Sequence, residues 1–320
     1  MKLIAELCQN HNGKIKILEK QVKEAAKNGA THVKIQHIYA NRLSFRSQFE
    51  NGLKLNNKIL TIKRGYKKEY NRLKKLELRD NEIKKFINLC NHFDVTPLTT
   101  CFTRQDIQKI FSLGFKEIKV ASYDCASYEM IRELKNKFNH VYISTGATYN
   151  KEIIKTSKIF NKNNFSLLHC VTEYPTKLKS LNLKKIKFLN KYSKNIGYSD
   201  HTSVMEYGLL PTFYAIYLGA KIIERHFTVL DKSKTRDGIV SINSEELYEI
   251  YKFSRKNKIK QKKILDRYKS KLKIMSGKNN AKFSEIERLN REYYRGRFCS
   301  KINDHRGIME IYNWEETPLS

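Results

Sequence analysis

Short apolar runs alternate with stretches whose apolar residues recur every three or four positions, almost from the first residue onward. The runs predict strands beginning near Leu3, His32, Thr96, Glu117, His140, Phe165, Asn195 and Ala220. Helical spacing predicts helices over 15–28, 79–92, 104–113, 128–138, 151–160, 182–191 and 204–218, with an eighth opening at Glu245-Glu246-Leu247. Repeated strand-then-helix units point to an α/β fold, the (β/α)8 TIM barrel, filling residues 1–250. An open doubly wound sheet competes with it, but that fold more often opens on a Gly-x-Gly-x-x-Gly turn, which this chain lacks. The segment 38–78 is too long for an ordinary loop between strand and helix and reads as a flap over the site. Residues 251–320 read as a short C-terminal extension. It begins with a basic helix over 251–273, and its Tyr293-Tyr294-Arg295-Gly296-Arg297-Phe298 and Trp314 are expected to pack back on the barrel.

Charge changes this picture little. Lys and Arg total 63 against 32 acids, a net +31 that would suit a nucleic-acid binder or an enzyme of anionic metabolites. The lysines, however, are spread over nearly every helix, and Asn and Ile are abundant too, as in the product of an AT-rich genome. The basic stretch 251–273 is therefore read as a solvated helix face, and nucleic acid is not the expected partner. Met1-Lys2 leads straight into a strand, and no run reaches about 18 apolar residues, so a cytoplasmic chain with no membrane partner is expected. The six cysteines form no Cys-x-x-Cys pair, which weakens zinc-ribbon and disulfide-scaffold readings.

In a barrel the chemistry sits at the C-terminal ends of the strands. His201 and His226 each follow a short apolar run, and the strand–helix–strand unit between them brings their strand ends side by side. Either one alone reads as an ordinary loop histidine. Together, with Asp200 and Asp237 nearby, they suit a divalent metal of the Mn, Zn or Fe type. Lys34 and Lys119 lie inside strands, where an ammonium group is costly without an anion beside it. With the hydroxyls of Thr100, Ser122, Ser144 and Ser199 they make a cradle for a small phosphorylated anion.

The same residues carry a resemblance. Ile4-Ala-Glu6 with Asn10-His11-Asn-Gly13, Val33-Lys34-Ile-Gln36, Lys119 with Ser122, and Ser144-Thr-Gly146 are four of its motifs. Leu168-His-Cys170 with Tyr174-Pro175-Thr176, Gly197-Tyr-Ser-Asp-His-Thr202 and Glu224-Arg-His-Phe-Thr228 complete the set. From Leu3 to Ser241 this resembles the N-acetylneuraminate (sialic acid) synthase family, whose members condense phosphoenolpyruvate with an N-acetylated amino sugar. The resemblance implies a divalent metal on His201 and His226, manganese first, with Mg, Co or Zn as alternatives. It places Lys34, Thr100, Lys119, Ser122, Ser144, Ser199 and, in place of a common Asn, Thr172 on phosphoenolpyruvate. It places Gln36 and Asp237 near the sugar and Glu6, Asp124 and Tyr174 at catalytic positions. It also implies a homodimer as one arrangement. The family's C-terminal antifreeze-like domain is not matched, so Arg295 or Arg297 is expected to replace the arginine that domain supplies to the sugar. Two readings compete with this one. One is a barrel synthase of the octulosonate-phosphate type, taking a phosphorylated aldose; the other is a nucleic-acid or anionic-surface binder working through 251–273.

Overall fold

The computed structural model describes residues 1–160, 164–277, 282–305 and 307–319. Its centre is a closed barrel of eight parallel strands. In chain order these are β1 (Lys2–Cys8), β2 (His32–Gln36), β3 (Thr96–Cys101), β4 (Glu117–Val120), β5 (His140–Ser144), β6 (Phe165–His169), β7 (Ile196–Asp200) and β8 (Ile222–His226). Each strand pairs with the next, and β8 closes on β1 with Glu6 opposite His226. All eight lie within two residues of the expected starts, most of them short runs rich in Ile, Leu and Val.

Side-chain alternation sorts each strand into two faces. One set, including Leu3, Ala5, Val33, Ile118, Ile143 and Leu167, packs outward against the surrounding helices in the main core. The other set fills the barrel in layers. Ile4, Leu98, Tyr142, Leu168 and Ile222 form an apolar middle layer. Below it, Glu117 accepts from Tyr142 (2.6 Å) and pairs with His32 (3.1 Å) and Lys2 (3.5 Å). Above it, at the C-terminal ends, the inward positions turn polar: Glu6, Lys34, Thr100, Lys119, Ser144, Ser199 and Glu224 are all buried. The apolar middle layer separates this polar top from the Glu117 cluster at the bottom.

Several helices differ from expectation. The one expected over 204–218 breaks at Gly208 (φ +58) into Val204–Tyr207 and Leu210–Tyr217, the second with Pro211 in its first turn. The one expected over 182–191 is only Lys185–Leu189. The basic stretch 251–273 is three pieces: the end of Ser244–Ser254, then Lys258–Leu265 capped by Asn257, then Lys269–Ser276. The boundary expected after residue 250 thus falls inside the helix Ser244–Ser254. The flap 38–78 is ordered, with a hairpin of Leu53–Leu55 and Lys58–Thr61 and a helix Tyr66–Lys74. It meets the tail through a small core of Ile38, Ala40, Leu43, Leu73 and Phe298. The tail packs back as expected: its helix Glu285–Tyr294 lies over the top of the barrel, and Trp314 stacks on Tyr312 (4.9 Å, 2°). Among the described residues no helix is long and apolar enough to cross a membrane.

Candidate active site

A cavity of about 580 Å³ opens at the C-terminal ends of the strands. It collects Glu6, Lys34, Gln36, Thr100, Lys119, Ser122, Ser144, Tyr174, Ser199, His201, His226, Asp237 and Arg297. These residues come from seven of the eight strand ends, the loops after them and the tail, so only closure of the barrel brings them together.

At its floor, charges alternate. Lys34 pairs with Glu6 and with Glu224 (3.3 Å) and donates to Thr100 (3.3 Å). Burial disfavours its charge, but the two carboxylates outweigh this and hold Lys34 above the usual lysine range. Lys119 is less well matched. Its Nζ donates to Ser144 (2.6 Å) and to the Val120 carbonyl (3.1 Å), and Glu224 is 3.9 Å away. Burial therefore lowers Lys119, only partly offset by Glu224. Glu224 itself is driven down to about 2: burial would raise it, but Lys119, Lys34 and the Ser199 hydroxyl (2.7 Å) hold it ionised. Glu6 is raised, because burial outweighs the Lys34 contact. The floor therefore holds one firmly ionised acid and one acid that keeps its proton more readily, the arrangement a general acid/base needs.

On the β7–β8 side, His201 and His226 face each other with ring centroids 5.5 Å apart at 65°, and Tyr174 lies 4.2 Å from the His201 ring. The Nδ1 of His201 is 2.9 Å from the Val171 carbonyl. A carbonyl only accepts, so the proton sits on Nδ1 and the Nε2 lone pair faces the Ser199 hydroxyl, 3.4 Å away at the cavity wall. Burial and the neighbouring His226 lower His201 to about 4, so it is neutral near pH 7. The Nδ1 of His226 is buried without a hydrogen-bond partner, 3.7 Å from Asp237. Asp237 is held in place by the next residue: a Cβ on Gly238 would sit 1.7 Å from the Lys232 carbonyl oxygen, so only glycine fits there.

On the opposite side, Gly146 performs a similar service. A Cβ there would meet Cys170 Sγ and Thr172 Cγ2 at 2.7 Å, and its amide donates to Ser122 (3.2 Å).

Three expected site residues are not in the cavity, and one neighbour serves the scaffold instead. The carboxylate of Asp124 turns away, accepting from Ser127 and Asn313 (both 2.9 Å). Thr172 is buried behind the cavity wall, and its carbonyl accepts from Asn290 (2.7 Å). Arg295 lies outside, over Trp314 (5.0 Å) and 3.8 Å from Glu152. Asp200 points to the outer face, where it pairs with Arg225 (2.8 Å) with neither side chain exposed. Parity explains this: Glu224 and His226 face inward, so Arg225 between them must face outward.

That same parity marks Glu224 as a site residue, two positions before His226 on one strand. The remaining additions could not be found that way. Arg64 and Arg72 come from the flap, Arg236 from the loop after β8, and Ile286, Asn290 and Tyr294 from one face of the tail helix at i, i+4 and i+8. Arg297 follows them and pairs with Glu69, which Arg72 also grips (2.8 Å). Arg72 donates on to Gln9 at 2.5 Å, so flap, tail and the β1 loop meet in one polar network at the mouth.

Parallel β/α units closing on such a site define a TIM barrel with a lysine- and histidine-lined cavity at its C-terminal rim, and comparisons with known proteins give the class. Residues 21–264 match the model of the NeuB family, and the chain belongs to that family. It is similar to an N,N'-diacetyllegionaminic acid synthase of Legionella pneumophila, 30% identical over 253 residues, 77% of this chain and 68% of that protein. It is also similar to an N-acetylneuraminate-9-phosphate synthase of Drosophila melanogaster, 29% identical over 77% of this chain and 64% of that protein. Among solved structures, the N-acetylneuraminic acid (sialic acid) synthetase of Leptospira borgpetersenii superposes with a TM-score of 0.67 at 26% identity, covering 91% of this chain and 90% of that one.

Proposed function

We propose that the chain is a synthase that condenses phosphoenolpyruvate with an N-acetylated amino sugar, giving a sialic-acid-like nonulosonic acid and inorganic phosphate. The observation that carries it is one cavity holding both Lys34 and Lys119, ringed by hydroxyls, and the facing imidazoles of His201 and His226. Lys119 and Lys34, with Thr100, Ser122, Ser144 and Ser199, bind the phosphate and carboxylate of phosphoenolpyruvate. Gln36, Tyr174, Asp237 and Arg297 face the open-chain sugar.

The donor set fits a divalent metal: a neutral imidazole on His201 whose unprotonated Nε2 lies 3.4 Å from the Ser199 hydroxyl, itself turned to Glu224, and an unpartnered buried Nδ1 on His226. When bound there, such an ion supplies polarisation of the sugar aldehyde. The protein does the rest. The lysine-lined floor holds the enol phosphate so that its C3 forms a bond to the aldehyde carbon. The aldehyde oxygen takes up a proton, water adds at C2, and the C2 carbinol collapses to the keto group as phosphate departs. Glu6, the more readily protonated acid at the floor, gives and takes these protons. Asp124 takes no part, since its carboxylate faces Ser127 and Asn313. The proposal places the reaction in the cytoplasm, where phosphoenolpyruvate is made.

A phosphorylated sugar is the second reading. Arg64, Arg72, Arg236 and Arg297 stand together at the mouth, with Glu69 paired to Arg72 and Arg297 behind them. Turnover of phosphoenolpyruvate with matched phosphorylated and unphosphorylated N-acetylhexosamines separates the two. No phosphate release with any sugar would rule out both.

A further inference from the structure

A second cavity, of about 820 Å³, lies at the opposite end of the barrel. It is bounded by the N-terminal ends of β1, β5, β6 and β8 at Lys2, His140, Ser166 and Ile222, and by the turn from Ser254 into the helix Lys258–Leu265. Ile222 belongs to the apolar middle layer, so that layer stands between this cavity and the catalytic one. Its size is that of a pocket for a small metabolite.

The charges that line it are of one sign. Lys2, Lys221, Lys256 and Lys258 face it, and among the described residues no carboxylate does. Lys2 is already paired with Glu117 (3.5 Å). The other three have only carbonyl partners or none: Lys258 donates to Ile216 (3.2 Å) and Tyr217 (2.7 Å), and Lys221 to Lys194 (3.2 Å). On a chain of net charge +31 a single unpaired lysine carries no meaning. Three that converge on one hollow lack a shared anion, and burial lowers the Lys258 ammonium below the usual lysine range.

Gln261 is an independent sign of a ligand. It lines the same cavity and is only 3% exposed. Its Nε2 donates to the carbonyls of Phe253 (3.3 Å) and Lys256 (3.1 Å), which fixes the orientation of the amide. The Oε1 is then left buried with no partner. A buried acceptor without a donor is costly, and a ligand hydroxyl would satisfy it. The Ser166 hydroxyl and Asn195 add neutral polar groups to the wall. No Phe, Tyr or Trp lines it among the described residues, so a nucleobase would find no stacking platform.

We propose that this cavity binds a sugar phosphate, with the phosphate group held by Lys221, Lys256 and Lys258 and a sugar hydroxyl donating to Gln261 Oε1. Three ammonium groups match a dianion, and the hydroxyls of a sugar supply the donor that the amide lacks. The site goes beyond the proposed reaction and is tested without turnover.

The experiment follows histidine ring signals by NMR in the full-length protein, with N-acetylglucosamine 6-phosphate as the probe. The His140 signal, assigned with His140→Gln, reports the bottom cavity, and those of His201 and His226 report the top. In wild type the His140 signal should shift and saturate. Lys221→Glu with Lys256→Glu changes two exposed side chains and so keeps the fold; its midpoint should rise at least about tenfold. Lys20→Glu with Lys23→Glu, the same change of charge on the helix Ile15–Lys27, should titrate like wild type. Inorganic phosphate should bind more weakly than the sugar phosphate. A His140 signal that stays still, or equal weakening in the two charge-reversed proteins, would overturn the site. Movement of the His201 and His226 signals alone would place the probe in the upper cavity and overturn it too. Inorganic phosphate binding as tightly as the sugar phosphate would overturn the role given to Gln261. The synthase reading is untouched by any of these, since phosphate release from phosphoenolpyruvate is measured separately.

Discussion

Lys119 is a buried cation whose ion-pair carboxylate, Glu224, is shared with a second lysine. An arriving phosphate restores the missing anion, so Lys119 is raised on binding from its lowered free value. At a pH above that free value, phosphoenolpyruvate binding should therefore take up a proton. Calorimetry in buffers of different ionisation enthalpy reads this directly, and Lys119→Ala should abolish it. The same substitution should cost about 2–4 kcal/mol in kcat/KM, the scale for a lost charged contact in a dry site. Unchanged phosphoenolpyruvate affinity in the Lys34→Ala, Lys119→Ala double variant would move the cradle elsewhere.

Asp124 supports the opposite kind of prediction. Burial raises its carboxyl to about 6, against an ordinary 3.8. The folded state thus binds the proton more tightly than the unfolded one, and stability falls as pH rises from about 4 to about 6. The loss is complete above that window and is about 3 kcal/mol. Both hydrogen bonds land on Oδ1, so an asparagine keeps them and puts its amide at the other position. Asp124→Asn should therefore raise Tm at pH 8, leave it unchanged near pH 4, and retain turnover. A large loss of kcat in a stable Asp124→Asn protein would return Asp124 to the mechanism.

At the scale of elements, the strands were legible and the lids were not. The inward lysines and histidines could be read because β-strand parity is fixed and parallel strand ends must converge. The contributions of Arg64, Arg72, Asn290 and Tyr294 depend on how the flap and the tail helix dock, and no local pattern encodes that. Asp124 and Asp200 were misread for a related reason. Nearness in sequence to a strand end does not say which way a side chain turns, and both find partners on the far side of the backbone. The tail's role was half legible: Gly296 (φ +74) makes the turn beneath Trp314, but it delivers Arg297 inward and leaves Arg295 outside. Asn290→Ala with Arg297→Ala should accordingly raise KM for the sugar well above its effect on phosphoenolpyruvate. An equal rise for both substrates would make the tail a general cover with no hold on the sugar.

At the scale of the whole molecule, two features stand apart from the chemistry. The first is the pair Asp200–Arg225, sealed with no exposure between β7 and β8 and reinforced by Thr202 and Thr212. Removing one partner strands a buried charge, so Arg225→Met should destabilise the fold by about 3–5 kcal/mol in denaturant titration. The second is the net charge of +31, which is spread across the surface and pushes the folded chain apart at low salt. The central claim is that the top of this barrel joins phosphoenolpyruvate to an amino sugar. It is tested most directly by incubating the metal-loaded protein with phosphoenolpyruvate and a panel of six-carbon N-acetylated amino sugars, with the products weighed by mass spectrometry. The account predicts one phosphate released per nine-carbon 2-keto acid formed, with both lost together in Lys119→Ala. Phosphate released without the sugar, or a product that keeps the phosphate of phosphoenolpyruvate, would contradict it.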